Sequence, residues 1–297
     1  MKKIKIGYFA DGPWSHEAFQ LLIKDSSVQI EFIVPRTDSK DQTLFEFSQK
    51  YHIPYFKGVN INSDDFYNQV NSFEIDLFVS MSFNQIFKSR ITNFPRLGTI
   101  NCHAGKLPFY RGRNILNWVL INDEKEFGIT VHFIDDGIDT GDIILQRCFP
   151  ISDEDNYESL LQISYKECAT ILFDSIKKIQ SNVFERIKQN SIHPVGFYCG
   201  LRSQGDEILN WNQSSRELFC FIRAICYPGP RATTYLNGNE VKINKSALIE
   251  GAPKYKSTIG QIVGKTQRGF VVKTNDSIIE IFEIESEIKL KIGDKLS

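Results

Sequence analysis

Residues 4–34 read IKIGYFADGPWSHEAFQLLIKDSSVQIEFIV, and the pattern in this stretch sets the fold class. IKIGYFA and VQIEFIV are short apolar runs rich in Ile, Val and aromatic residues, the mark of strands with buried faces. HEAFQLLIK, between them, repeats apolar residues at helical spacing. Strand, helix and strand in one short span form the unit that lays two parallel strands side by side with a crossover helix. Further on, SKDQTLFEFSQKYH repeats the helical pattern and IDLFVSMSF the strand pattern. RNILNWVLIN follows as a further helix, and NYESLLQISYKECATILFDSIKKIQS as a long amphipathic one. The expected class is α/β, a Rossmann-like and mostly parallel sheet with helices on both faces.

The chain changes character near residues 190–207, where HPVGFYCGLRSQGDE loses periodicity and gains Gly and Pro. The expected organisation is a catalytic domain at 1–190, a linker at 191–206 and a second domain at 207–297. SSRELFCFIRAI should be a helix opened by Ser214 or Ser215 as cap. Short strand-like runs follow, with Asn237-Gly238 as a hairpin turn between alternating residues. This part reads as a small β-rich domain.

Composition narrows the function classes. A net charge of −1 over 297 residues lacks the basic surplus that a nucleic-acid or membrane-surface partner usually demands. Six cysteines at irregular spacing, with no Cys-x-x-Cys pair, indicate neither a zinc site nor a disulfide framework. The start, MKKIKIGYFADG, reaches Gly and Asp before any signal-peptide core forms, and no run approaches the ~18 apolar residues of a spanning helix. The expected location is the cytoplasm, with neither nucleic acid nor membrane as partner.

The chemistry is concentrated between Asn101 and Asp142, NCHAGKLPFYRGRNILNWVLINDEKEFGITVHFIDDGIDTGD. LGTINCHA reads as a buried strand, so Asn101 and His103 share one face while Cys102 takes the other. Asp139 lies in the loop DDGIDTG after the strand ITVHFI, and loops at strand ends are where sites are built. His132, inside that strand, reads as structural. An amide donor, an imidazole base and a carboxylate together suit acyl transfer to an amine. Asn101 would meet the oxygen that gains charge, and His103 would take the amine proton. Asp139 would orient His103 or hold a water. With an activated leaving group, no metal is needed.

These residues carry a resemblance to the 10-formyltetrahydrofolate-dependent formyltransferases, whose pattern is Asn-x-His, Leu-Pro, a Gly-containing turn and an Asp in a Gly-rich loop. Here these are Asn101, His103, Leu107-Pro108, Gly112 and Asp139. FPRLGTIN resembles the branch acting on methionyl-tRNA. YRGRNILNWVLINDEKEFGITVH is closer to the bacterial enzymes that formylate UDP-aminoarabinose, and Gly105-Lys106 in place of Ser-Leu is associated with sugar-formylating members. The resemblance implies 10-formyltetrahydrofolate as donor and an open, OB-like barrel in the carboxy-terminal domain. It implies a pterin pocket walled by Phe83, Asn84 and Ile86 on one side and Asp136 and Gly137 on the other. Trp14, Lys106, Arg111 and Arg113 are the expected acceptor contacts, with the arginine forks suited to a diphosphate. The acceptor it implies is a dTDP- or UDP-linked amino sugar, foremost a 4-amino-4,6-dideoxyhexose for surface glycan such as lipopolysaccharide O-antigen, handled by a homodimer. Methionyl-tRNA is the alternative acceptor.

Overall fold

The computed structural model describes residues 3–297 and divides into two compact units. The first takes the chain up to Gly112, then Phe127–Phe149 and Gln162–Cys199. The second takes Arg113–Glu126, Pro150–Leu161 and Gly200–Ser297. The second unit thus draws in two internal segments besides the carboxy-terminal stretch.

In chain order the elements begin with β1 (Ile4–Ala10), α1 (Pro13–Lys24), β2 (Val28–Val34), α2 (Thr43–Tyr51) and α3 (Asp64–Val70). Next come β3 (Leu77–Met81), α4 (Ser89–Thr92), β4 (Thr99–His103), β5 (Arg111–Gly112) and α5 (Ile115–Ile121). They continue with β6 (Glu126–Phe133), β7 (Ile143–Pro150), α6 (Tyr157–Ser181), α7 (Gln189–Ile192) and β8 (Tyr198–Cys199). The main sheet of the first unit has the order β2-β1-β3-β4-β6-β7. β2, β1, β3 and β4 pair in parallel, and β6 runs antiparallel to β4.

Alternation along β1 feeds two cores. The Tyr8 hydroxyl donates to the Ser15 carbonyl of α1 at 2.9 Å. Phe9 turns the other way, into a cluster with Phe32, Phe66, Phe78 and Phe87. α6 lies on the α1 side, where Lys177 pairs with Asp25 at 3.0 Å and the Cys102 thiol on β4 meets the Cys168 carbonyl at 3.6 Å. α3 and α4 supply Phe66 and Ile91 to the phenylalanine side. Helices therefore cover both faces, as the strand–helix alternation requires.

Register then places the chemistry. Phe9 pairs with Ser80, Ser80 with Asn101, and Asn101 with His132. One row of side chains thus crosses β1, β3, β4 and β6 on the phenylalanine side, opposite Cys102. A rung further along, His103 pairs with Thr130.

The second unit adds α8 (Ser215–Ile225), β9 (Ala232–Leu236), β10 (Asn239–Leu248), β11 (Ile262–Lys265), β12 (Gly269–Lys273) and β13 (Ile278–Ser286). α8 opens on a full capping box, with the Ser214 side chain on the Glu217 N–H and the Glu217 carboxylate on the Ser214 N–H. Its apolar face packs against α5, and the Asn117 amide of α5 donates to the Ala224 carbonyl at 2.6 Å. The strands form an antiparallel sheet in the order β11-β12-β13-β10-β9. Asn237 and Gly238 both take positive φ (51° and 80°), the conformation of a tight hairpin between β9 and β10. Residues 293–297 bond to Gly260 and Ile262 beside β11 and to Tyr235 on β9, which curls the sheet toward the expected open barrel. Among the described residues no helix is long and apolar enough to cross a membrane.

Candidate active site

Asn101 and His103 project from β4, and the loop after β6 folds back to bring Asp139 to them. Asp139 Oδ2 is 3.6 Å from His103 Nδ1, and its Oδ1 is 3.4 Å from His132 Nε2. The Gly112 N–H donates to Oδ2 at 2.9 Å. Burial would raise the Asp139 carboxyl, but the charge of His103, the bond with His132 and the Gly112 N–H outweigh it. They hold the group well below the usual carboxylate range. A buried carboxylate is thus kept ionised between two imidazoles.

The ring of His103 is buried, and its Nε2–H donates to the Tyr110 carbonyl at 2.8 Å. In the neutral ring this leaves Nδ1 with the lone pair, on the side of Asp139; protonated there, His103 carries the charge that lowers the Asp139 carboxyl. A proton arriving at Nδ1 would lie beside a carboxylate, the arrangement that suits a general base.

His132, read from the sequence as structural, lies against the same carboxylate. Its Nδ1 lies 2.8 Å from the Phe133 carbonyl, and its Nε2 is 3.4 Å from both Asp139 Oδ1 and Asn101 Nδ2. The missed signal is the even spacing of Thr130 and His132 on β6, which reads as a site face once β6 is known to lie beside β4.

The loop after β3 and the loop carrying Asp139 also meet. Ser89 Oγ donates to Asp136 Oδ1 at 3.1 Å, which ties the two walls of the expected pterin pocket together. Ile86 and Ile138, one on each loop, are 69% and 55% exposed, an apolar surface that a flat ring would cover. Phe83 packs on Phe9 and Phe87. The Asn84 side chain is engaged with Thr37 and Asp38. Gly137 sits against Thr140, with its N–H on the Asp135 carboxylate at 3.1 Å.

The expected acceptor contacts are dispersed. Trp14 stacks edge-on against Tyr165 of α6, with ring centres 5.0 Å apart. Lys106 is half-buried, its backbone close against Gly128. Arg113 is exposed and belongs to the second unit. Arg111 has its fork inside the fold, with Nε and Nη2 both donating to Gln189 Oε1 at 3.1 and 2.6 Å. Among the described residues no group of His, Cys, Asp and Glu is arranged to hold a metal ion.

Comparison with known proteins bears on this geometry. The formyl transferase domain matches residues 26–175, and the formyl transferase C-terminal domain matches 202–294. A methionyl-tRNA formyltransferase of Alkaliphilus oremlandii is 32% identical over 258 residues, spanning 87% of this chain and 80% of that one. Among solved structures, WlaRD, a sugar 3N-formyl transferase in the presence of dTDP and 5-N-formyl-THF, is 26% identical with a TM-score of 0.70. The match covers 98% of this chain and 100% of that one. A 4-N formyltransferase from Francisella tularensis is 25% identical with a TM-score of 0.64, over 80% and 95% of the two chains. With both domains matched, and Asn101 and His103 on β4 meeting Asp139 from the loop after β6, the chain belongs to the formyl transferase family and is an N-formyltransferase.

Proposed function

We propose that the chain transfers the formyl group of 10-formyltetrahydrofolate to the amine of a dTDP- or UDP-linked amino-dideoxyhexose, in the cytoplasm. The observation that carries this reading is the near end-to-end likeness to a sugar 3N-formyl transferase, covering 98% and 100% of the two chains. The bound donor would supply a formyl group carried on its N10 arylamine nitrogen, which is the leaving group. Ile86, Ile138 and the Ser89–Asp136 bridge fit the flat pterin end of such a molecule. His103 Nδ1 takes a proton from the amine as its nitrogen bonds to the formyl carbon. The side-chain amide of Asn101 meets the formyl oxygen as that oxygen gains charge. Asp139 stabilises the protonated His103, which returns the proton to the departing nitrogen.

The charge of the carboxy-terminal stretch favours a small acceptor over tRNA. From Gly205 onward there are thirteen Lys and Arg against eleven Asp and Glu. Arg216, Arg223, Arg231, Lys242, Lys245 and Arg268 each pair with a carboxylate. Lys273 is fully buried. The six exposed lysines that remain stand in a stretch whose charges nearly balance, whereas a tRNA-binding surface needs a basic surplus to displace counterions from phosphates. The second reading, formylation of methionyl-tRNA, is favoured by the 32% identity to an enzyme of that name.

The two separate in one experiment. dTDP- and UDP-linked 3-amino and 4-amino dideoxyhexoses are incubated with 10-formyltetrahydrofolate beside initiator methionyl-tRNA, and the mass gain of one formyl group is followed. The sugar reading expects turnover on at least one nucleotide sugar and little on tRNA. Efficient, salt-sensitive formylation of the tRNA alone would overturn it.

A further inference from the structure

Gln189 stands in an aperiodic stretch with no catalytic pattern, yet only 4% of it is exposed and every polar position of its amide is used. Its Nε2 donates to the main-chain carbonyls of Asp139 and Gly141, each at 2.8 Å. Its Oε1 accepts from both Nε and Nη2 of Arg111. The next residue, Gly112, sends its own N–H to the Asp139 carboxylate. Arg111, Gln189, Asp139 and Gly112 therefore form a closed hydrogen-bonded circuit, gripping Asp139 by main chain and side chain at once. Asp139 needs such a grip, because its φ of 54° is a conformation that side-chain-bearing residues seldom adopt. Arg111 is itself seated by the β5–β8 pairing, by its N–H on the Phe197 carbonyl at 3.1 Å and by the Tyr198 ring 5.5 Å from its guanidinium.

We propose that Gln189 and Arg111 are positioning residues for formyl transfer: a buried amide, locked by a guanidinium, sets the main chain from which Asp139 addresses His103 and His132. Arg111 thereby acts on the reaction through Gln189 and not by binding the acceptor's diphosphate. This rests on the proposed roles of His103 and Asp139, and it is independent of which acceptor is used.

The test is steady-state kinetics on the acceptor that the wild-type enzyme formylates, with Gln189→Ala, Arg111→Ala, the double variant, Gln189→Glu and His103→Asn. Misplacing a catalytic group by about 1 Å costs up to ~10²-fold, so both alanine variants should lose roughly 10- to 100-fold in kcat. KM for donor and acceptor should stay within about threefold, because transition-state geometry is lost and binding is not. The double variant should be no slower than Gln189→Ala. Gln189→Glu keeps an acceptor for Arg111 but loses both donors to the loop, and should be as slow as the alanine variant. Unimpaired kcat in Gln189→Ala or Gln189→Glu would overturn the proposal. So would an Arg111→Ala that raises acceptor KM and multiplies with Gln189→Ala. If Gln189→Ala does not fold, Arg111→Ala decides by the same kcat-against-KM criterion. An active His103→Asn would bring down the site reading and the clamp with it. An inactive His103→Asn beside an unimpaired Gln189→Ala would bring down the clamp alone.

Discussion

Asp139 combines a left-handed backbone with a buried, ionised side chain, and two substitutions separate these properties. Asn tolerates positive φ about as well as Asp, so Asp139→Asn removes charge alone, whereas Asp139→Ala also strains the main chain. Because the folded state lowers this carboxyl, its ionisation stabilises the fold fully above the ordinary Asp value of about 4. That contribution is lost as pH falls through the lower folded value. Asp139→Asn should therefore be less stable than wild type at neutral pH, with the gap closing in acid; urea midpoints at several pH values check this, and a constant gap would contradict it. Asn101→Ala removes the donor to the formyl oxygen and should lower kcat by ~10²–10³ with little change in donor affinity, read by single-turnover kinetics. Asn101, His103 and Asp139 were legible because two adjacent sequence patterns carry them. His132 and Gln189 were not. Both enter through pairings between distant segments, β4 with β6 and Arg111 with Gln189, that no local periodicity reports.

At the scale of elements, the smallest strand has the largest leverage. β5 is two residues long, and Gly112 within it has φ +95° and a pro-Cβ position 2.4 Å from the Cys199 carbonyl oxygen. Gly112→Ala must part β5 from β8 and pull the N–H away from Asp139, so it should cost about 1–3 kcal/mol of stability and most of the activity. Urea denaturation and turnover measured on the same preparation test both halves. Elements with strong repeating signals were visible in the sequence: β1, α1, β2, the capped α8 and the Asn237-Gly238 hairpin. α3, seven residues long, and the four-residue α4 and α7 were not, since they are too short to show a helical period. β5 and β8 are each two residues long, and only their mutual pairing makes them strands.

Taken whole, the second unit is not the carboxy-terminal third alone. α5 lies at residues 115–121, yet its buried Ile115, Leu116, Val119 and Leu120 are in the unit that α8 completes. Asp123 is held far below the usual carboxylate range, chiefly by Arg216, which lies beyond residue 203. A chain ending near Ser203 should therefore uncover the apolar face of α5, at about 1.5–3 kcal/mol per exposed large side chain, and aggregate. Gel filtration of the truncated chain checks this, and a monodisperse, active product would contradict it. The curled sheet has a further consequence. Both outer strands have backbone groups engaged at their edges: Thr233 and Tyr235 of β9 by residues 207–209 and Ser297, and Ile262 of β11 with Gly260 before it by Gly293, Asp294 and Leu296. Among the described residues a foreign strand therefore finds only a short stretch of open ladder to extend. Any second copy of the chain that docks on this unit must recognise mainly side chains, and its specificity is written in surface residues that can diverge without disturbing the sheet.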